Sequence, residues 1–265
     1  ASCTIARSQR QRTGKPVCGR RRALLRLYHG AGQQLRRRTG VSVPLSIIIP
    51  ALNEAGCIRE LLRQLQALRA QGHEVIVVDG GSCDETVALA QPLVDQLLPA
   101  PAGRALQMNI GAQAAGGRVL WFVHADTRVP ETAAQVIIES VAHAARWGRF
   151  DVRLSGDRLL LRLVERMMNW RSRFTGIATG DQGIFVTREL FERVGGFAAL
   201  PLMEDIELSK RLRRLSAPCC LSEVIVTSSR RWETRGIVRT ILLMWALRAA
   251  YALGGDPQRL ARLYR

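Results

Sequence analysis

The chain has 265 residues, a length that fits one large domain or two small ones with room for a sizeable core. Its hydrophobic fraction of 47% is ordinary for a globular protein, but its formal net charge of +17 is not. Because no Asp or Glu precedes Glu54, while eleven Arg and Lys residues do, most of that imbalance belongs to a basic front segment and not to the fold.

Residues 1–43 are rich in Arg, Gln and Gly and read as a poorly ordered extension. Basic tails lacking interleaved aromatics are weak grounds for a specific nucleic-acid site, so no specific nucleic-acid partner is expected. Order is expected from Pro44, with residues 44–232 as one α/β domain and 233–265 as a helical segment packed on it or on a membrane interface. Leu45–Ile49 is rich in β-branched residues and reads as a strand. Pro50-Ala-Leu-Asn-Glu54 closes it, and Asn53 is placed to cap a helix whose apolar stripe is Ile58, Leu61, Leu62, Leu65 and Leu68. A second strand, Val75–Val78, runs directly into Asp79-Gly-Gly-Ser-Cys-Asp84. Strand, helix, strand within about 30 residues predicts a parallel right-handed crossover. Gly80 and Gly81 let the backbone turn sharply and approach a ligand. Asp79, where the strand stops, can accept hydrogen bonds from a ribose hydroxyl or a base N–H, or it can simply sit in a turn whose Ser82 or Asp84 caps the next helix. Neither a dinucleotide fingerprint nor a Walker loop is present.

Gly103–Ala115 reads as a helix with small residues on one side, suited to close packing on the sheet or on a flat ligand. Arg104 at its start is a candidate phosphate or base contact. Val119–Val123 is a run of five apolar residues, as expected of the centre of a mostly parallel sheet covered on both faces. It ends in His124-Ala-Asp126. In open α/β sheets ligands bind outside the carboxyl ends of the strands. Asp126 there can hold a divalent cation through oxygen, or it can cap the helix expected from Pro130 to about Trp147.

The second half changes character. Phe150–Leu154 reads as a short strand, and Leu159–Trp170 as an amphipathic helix in which Met167 and Met168 are core filler. Thr179–Gly183 is a loop, Ile184–Val186 a strand and Val194–Phe197 a turn. Leu202-Met-Glu-Asp-Ile206 opens a helix running to about Leu215. Glu204 and Asp205 at its start are dipole partners or a catalytic base at a cleft. After a strand at Leu221–Thr227 comes a long apolar helix bearing Trp245 and Tyr251, of a type that can lie in a bilayer interface. Its apolar run, Ile237–Leu253, is interrupted by Arg239 and Arg248, so no transmembrane span is expected. No apolar h-region follows the basic start, so a secretory signal is not expected either. Cysteines at 3, 18, 57, 83, 219 and 220 form no C-x-x-C pair, which leaves free thiols in a reducing cytoplasm as the reading.

Taken in order, Ser46-Ile-Ile-Ile-Pro-Ala-Leu-Asn-Glu54, Val77-Val-Asp-Gly-Gly-Ser-Cys-Asp84, His124-Ala-Asp126, Gly180-Asp-Gln-Gly183 and Met203-Glu-Asp205 resemble the motifs of a family 2 glycosyltransferase of GT-A fold. Within that family the chain resembles the bacterial subgroup named for association with radical-SAM and selenium-related genes. The resemblance covers about 44–265. It implies a Rossmann-like, mostly parallel sheet flanked by helices, with further helices at the C-terminus. It also implies a nucleotide-diphosphate-sugar donor, most often a UDP-sugar, and Mg²⁺ or Mn²⁺. By motif, Pro50, Leu52 and Glu54 line the nucleoside pocket, Asp79 and Gly80 meet the uracil or ribose, and Arg104 and Asn109 lie beside the base. Asp126 matches the last acid of the D-x-D motif, with His124 in place of the usual first acid and a candidate second metal contact. Asp205, with Glu204 before it, matches the catalytic base, and Gly180 and Asp181 the acceptor-side loop. Arg231-Trp232 resembles the tail of the Q-x-x-R-W motif of processive members, though Ser228 replaces the Gln. The acceptor is not implied. Such an enzyme inverts C1 in one displacement; a carboxylate of reference pKa ~3.9 is a weak base for an alcohol, so proton transfer lags behind attack. A nucleotidyltransferase on a similar sheet is the alternative enzyme, and the absence of Lys from Pro50–Gly56 argues against it. A basic nucleic-acid-binding protein is the non-enzymatic alternative.

Overall fold

A computed structural model describes residues 45–264, so the basic extension lies outside the described residues. In chain order the elements are β1 (Leu45–Ala51), α1 (Ile58–Gln64), α2 (Gln66–Ala70), β2 (Glu74–Asp79), α3 (Thr86–Ala90), β3 (Gln96–Pro99), α4 (Arg104–Ala114), β4 (Val119–Phe122), α5 (Ala133–Ala142), β5 (Trp147–Leu154), α6 (Leu159–Thr175), β6 (Phe185–Thr187), α7 (Arg188–Arg193), α8 (Glu204–Leu215), β7 (Cys219–Thr227), α9 (Arg230–Arg235), α10 (Ile237–Ala252) and α11 (Pro257–Tyr264). The boundary expected at residue 232 falls inside α9.

The seven strands form one sheet in the order β3-β2-β1-β4-β6-β5-β7. β1 pairs in parallel with β2 and β4, β2 with β3, and β5 with β7; only β6 runs antiparallel to its neighbours. The chain leaves β1 in one direction through β2 and β3, then returns to place β4 on the other side of β1. That reversal opens a crevice at the carboxyl ends of β1 and β4, where ligands of open α/β sheets bind.

Both faces of the sheet are covered, and alternation along each strand divides the core in two. Ile47, Ile49, Val75, Val77 and Trp121 point to one side, where they meet Ile58, Leu61 and Leu62 of α1, Leu65 between α1 and α2, Leu68 of α2, and Ala133 and Ile137 of α5. Ile48, Ile76, Val78, Leu120 and Phe122 point to the other, against α4, α7 and α8. The small residues of α4 serve the sheet: a Cβ on Gly111 would come 2.5 Å from Ile48 Cγ2 and 3.0 Å from Val78 Cγ2. Two smaller cores attach the C-terminal helices. Leu202, Met203 and Ile206 pack with Leu247 of α10 and Leu260 of α11. Leu161 and Val164 of α6 pack with Ile237 of α10, joined by half-buried Met168, Trp232 and Ile241.

Three expectations change, and one strand is present that the sequence pattern does not announce. Asn53 does not cap α1, whose first flanking residue is Cys57 with no side-chain cap. The helix after Pro130 ends at Ala142, not Trp147. It closes with a 6→1 bond from Ala145 N–H to Ser140 O around Ala144 at φ +70°, a position usually marked by glycine, so the stop carries no sequence signal. Trp147 instead begins β5 and is fully buried. Met167 is not core filler; it lies on the outer face of α6, 41% exposed. The short edge strand β3 went unread, being four residues ending in a proline.

The Gly111 contact gives a direct stability test. Gly111→Ala is expected to cost ~1–3 kcal/mol through overpacking against Ile48 and Val78. Gly56→Ala, with no atom within 4 Å of the added carbon, is expected to stay within ~0.5 kcal/mol. Urea unfolding midpoints at constant m-value check both; equal midpoints would contradict the close α4–sheet contact.

Candidate active site

The loops after β1 and β2 are stitched together by side chains, among them Asp84, whose Oδ1 also accepts from Thr86 N–H at the start of α3 (3.0 Å). Asn53, in the left-handed region at φ +56°, donates its N–H to Ser82 Oγ (2.8 Å), and its Oδ1 accepts from Cys83 N–H (2.8 Å). Asn tolerates this conformation better than other non-glycine residues. Glu54 N–H donates to Thr86 Oγ1 (2.7 Å) and Ala55 N–H to Asp84 Oδ2 (3.1 Å). Asp79, ending β2, accepts N–H bonds from Gly81 (3.0 Å) and Ser82 (3.1 Å) and so shapes its own turn. A carboxylate has about four lone-pair sites, so these bonds leave capacity for a ligand donor. Buried Gln107 of α4, not anticipated from the sequence, donates through Nε2 to Ala51 O and Val78 O (2.8 Å each) and ties the two strand ends together. A Cβ at Gly80 would sit 3.0 Å from that nitrogen, closer than ordinary packing. Pro50 is half-buried at the end of β1, while Leu52 is 41% exposed at the mouth.

Cys57 lies beside this loop and donates its thiol to Glu54 Oε2 (3.2 Å). Burial, that hydrogen bond and the charges of Glu54 and Asp126 push the thiol up to about 12, against an opposing effect of Arg230. Glu54 and Asp126 therefore share one neighbourhood at the β1–β4 crevice, with the cation of Arg230 facing it.

The end of β4 turns sharply, with Thr127 N–H bonded to His124 O (3.1 Å). The turn sends its two polar residues apart. Half-buried Asp126 goes to the Glu54 side, and His124 goes to the loop at 180. His124 Nδ1 lies 3.3 Å from Asp181 Oδ1, and its buried Nε2 has no hydrogen-bond partner. That nitrogen packs on Gly180, where a Cβ would fall 2.6 Å from Nε2 and 2.8 Å from Cε1. Gly180 N–H donates to Asp205 Oδ2 (2.7 Å), and Asp205 Oδ1 accepts from Ile206 N–H (2.7 Å). Thus the β4 end, the 180 loop and the first turn of α8 converge on one glycine. Asp126 follows His124 by two residues, which limits their Cα separation to ~7 Å.

Glu204, Asp205 and Glu207 all stand in the first turn of α8, where the helix dipole favours anions. Met203 just before them is held at φ +67°, a conformation disfavoured for a side chain of this size and common at functional sites. Glu204 is buried and pairs with Arg104 Nη1 at 3.5 Å. Burial first, then the Asp205 charge, raise its carboxyl above the usual range, against the pull of Arg104. Asp181 moves the other way. Burial alone would raise it, but the His124 hydrogen bond and the charges of His124, Arg104 and Arg248 prevail and hold it below the usual range. Arg104 and Asp181 lie deep among neighbouring groups, yet each keeps nearly half its side-chain area accessible, 48% and 45%. Both therefore stand at the solvent edge of the site.

Not every expected residue joins it. Asn109 is a correction: its Nδ2 donates to Phe197 O (2.8 Å) and its Oδ1 accepts from Phe197 N–H (2.9 Å), so both ends of the amide serve the 195–197 turn. Trp232 packs into the α6–α10 core. Arg231 stacks over the Tyr264 ring at 3.8 Å, and Tyr264 in turn lies within electrostatic reach of Asp181, Arg104 and Asp205. Arg171, Arg248 and Tyr264 all neighbour Asp205, and none carried a motif that marked it in advance.

Among the described residues no three His, Cys, Asp or Glu side chains gather as a cation cage. Asp126 offers a single accessible carboxylate. A hard cation such as Mg²⁺ is commonly held by one or two carboxylates together with substrate phosphates. The donor set therefore fits an ion that arrives with a diphosphate.

Comparisons with known proteins identify the family and the fold. The model of the family described as Glycosyl transferase family 2 matches residues 46–195. An uncharacterized glycosyltransferase of Mycobacterium tuberculosis is 33% identical over 100 residues, which span 35% of this chain and 38% of that protein. Among solved structures, S. aureus TarS 1-349 in complex with UDP superposes with a TM-score of 0.60 at 18% identity, covering 70% of this chain and 60% of that one. The mannosyltransferase PcManGT from Pyrobaculum calidifontis, with GDP-Man and Mn²⁺, gives 0.57 at 20% identity, covering 86% and 69%. Glucosyl-3-phosphoglycerate synthase from Mycobacterium tuberculosis, with Mn²⁺, UDP and glucosyl-3-phosphoglycerate, gives 0.53 at 17% identity, covering 74% of each. Likeness at these identities establishes the shared fold.

The contact at Gly180 is testable by a double-mutant cycle. Gly180→Ala forces a methyl group into the His124 ring and is expected to cost ~1–3 kcal/mol. Truncation of His124 to Ala in the same chain relieves the clash, giving a coupling of ~0.5–3 kcal/mol in denaturant unfolding. Strict additivity would show that the two residues do not touch.

Proposed function

The chain belongs to glycosyl transferase family 2, and from that premise we propose that it moves a sugar from a nucleotide-diphosphate donor, a UDP-sugar, onto an acceptor hydroxyl with inversion at C1 and with Mg²⁺ or Mn²⁺. The observation that carries the reading is the meeting of the β4 end, through His124, with the first turn of α8 at Gly180, which supports a shared crevice for Asp126 and Asp205. The family places the chain among glycosyltransferases and sets the nucleotidyltransferase alternative aside. Five motifs from 46 to 205 favour the subgroup named for radical-SAM and selenium-related genes. Neighbours of the same fold are described with UDP, or with GDP-Man and Mn²⁺, and this supports both the donor class and the ion.

In this reading the stitched loops of β1 and β2 hold the nucleoside, with Leu52 and Glu54 at the mouth and Asp79 accepting from base or ribose. Asp126 would hold the cation, and through it the diphosphate. Bound there, the ion supplies Lewis-acid neutralisation of the charge that builds on the leaving group. Arg104 and Arg230 add fixed positive charge on either side. Asp205 is oriented by the N–H groups of Gly180 and Ile206 and takes the proton of the acceptor hydroxyl. The hydroxyl oxygen bonds to C1 as the C1–oxygen bond to diphosphate breaks, and that bond pair stays on the departing phosphate. His124 positions Asp181 and the 180 loop. Glu204, with its raised carboxyl, supports Arg104 and the α8 start without touching the reacting atoms.

Asp126→Ala and Asp205→Ala are each expected to lower transfer by ~10²–10⁴ with the fold retained. A thermal-shift panel of UDP-, GDP-, CDP- and dTDP-sugars, with and without Mn²⁺, identifies the donor, since a ligand of the native state raises its apparent stability. Full activity in both variants would refute the assignment.

A peripheral contact with an anionic membrane belongs to the same proposal. Leu159, Leu163, Met167, Trp170 and Phe174 form an exposed stripe along α6, with the last two rings stacked at 5.5 Å. Val238, Leu242 and Trp245 form another on α10, beside exposed Arg235 and Arg239. Leu161 and Val164 meet Ile237 in the seam that both stripes border. Apolar rings among arginines suit an anionic interface. No helix among the described residues is long and apolar enough to cross a membrane. The four described cysteines are free, in keeping with a cytoplasmic position. Trp170→Ser with Phe174→Ser is expected to weaken binding to phosphatidylglycerol vesicles by about tenfold or more. Unchanged co-sedimentation would remove this surface from the reading.

A further inference from the structure

A hollow of about 750 Å³ lies among α9, α10 and α11, and none of the residues assigned above to donor, cation or base lines it. Its volume suits one small molecule. Its two ends differ. Arg231 and Arg235 of α9 and Arg239 in the first turn of α10 line one end. Tyr264 of α11 closes that end: Arg231 stacks over its ring at 3.8 Å, and Arg235 Nη1 donates to its carbonyl oxygen at 2.8 Å. The cations are accessible, since Arg235 and Arg239 are exposed and Arg231 is half-buried. No Asp or Glu lines the hollow, and Arg231 and Arg239 form no ion pair with any described residue. Glu233, the acid of α9, faces Gly156 instead. The rest of the wall is apolar. Leu242, Leu243 and Ala246 continue it along α10, and Leu263 lines it from α11. Arg239 to Ala246 is about 10 Å of helix. Leu242 is 59% and Leu263 67% exposed, so this wall stands bare to water.

Guanidinium forks at one end and bare leucines beyond them match an anionic amphiphile. A phosphate accepts from the forks, and an alkyl chain removes the leucines from water. Other occupants fit less well. The basic extension carries no acid before Glu54, and a second copy of a chain of net charge +17 brings charge of the same sign. A nucleic-acid single strand needs open aromatic faces, and the one ring in the lining, Tyr264, is already covered by Arg231. We propose that this hollow binds one molecule of an anionic lipid, with its phosphate at Arg231, Arg235 and Arg239 and its acyl chain along α10. This goes beyond peripheral contact with a bilayer, because it holds a single lipid as a discrete ligand, and it does not depend on the transferase reading. The site also borders the start of α8. Leu243 and Tyr264 pack against Leu202, Met203 and Ile206, the residues on either side of Glu204 and Asp205.

The test is calorimetric titration of dihexanoylphosphatidic acid, kept below its micelle concentration, into the full chain. Wild type is expected to bind it saturably, one lipid per chain. Dihexanoylphosphatidylcholine has the chains without net charge, and inorganic phosphate has the charge without chains. Each is expected to bind about tenfold more weakly or worse. Arg239→Gln and Leu242→Ser alter exposed positions and disturb no core. Each is expected to weaken phosphatidic acid by about fivefold or more. Trp170→Ser with Phe174→Ser, which strips the α6 stripe, is expected to leave it unchanged. No binding by wild type, equal binding of phosphatidylcholine or of inorganic phosphate, or wild-type affinity in either Arg239→Gln or Leu242→Ser overturns the site. Equal loss in the α6 variant would assign the lipid to the general apolar surface and overturn the discrete site. Binding to phosphatidylglycerol vesicles without binding of the monomeric lipid would leave the peripheral contact standing and overturn this one.

Discussion

The hydrogen bond from Gly180 N–H to Asp205 Oδ2 is the contact on which the rest of the cleft depends. It joins a loop and a helix start that are 25 residues apart, and it does so directly beneath the ring of His124. Without a side chain at 180 the imidazole, the loop backbone and the α8 carboxylate share one small space. A bond from a backbone donor to an ionisable acceptor is stronger than a neutral one, and in a partly desolvated cleft it fixes direction as well as distance. The left-handed Met203 turns the chain into that first turn and is held there by its burial among Leu202, Ile206 and Leu247.

The opposite wall is fixed by a different device. Parallel pairing of β1 with β2 sets Ala51 opposite Asp79, and the loops beyond are laced by Asn53, Ser82, Asp84 and Thr86. These are short polar side chains satisfying backbone N–H groups that no strand or helix can reach. Gln107 closes the lacing from α4. Each wall is therefore held together by its own set of hydrogen bonds. Charges follow the same division. Glu54 and Asp126 lie on the β1 side with Arg230 facing them, and Glu204, Asp205 and Asp181 lie on the other with Arg104, Arg171 and Arg248.

The C-terminal helices are part of this second wall and do not form an appendage. α10 is packed against α6 and against the residues that lead into α8, and α11 brings Tyr264 over Arg231 beside the acidic loop. The outer faces of α6 and α10 remain apolar and exposed while Leu161, Val164 and Ile237 fill the seam between them. A helix pair apolar on the outside as well as the inside runs against the usual pattern of a solvated surface.

By itself the sequence determined the strands β1, β2 and β4, the stripe of α1, and the acids at strand and helix ends, because alternation and helical period are local and a motif read in order needs no distances. It determined the family for the same reason. It did not determine the stop of α5, where an alanine takes the place usually held by glycine, nor the partners of Asn53 and Asn109, whose amides are equally suited to a cap, a ligand or a distant backbone. Arg248 could be seen only as a charge that spoils an apolar run. Whether such a residue faces water or lies half-buried with a nitrogen shielded from solvent depends on which elements pack beside it, and tertiary structure alone decides that.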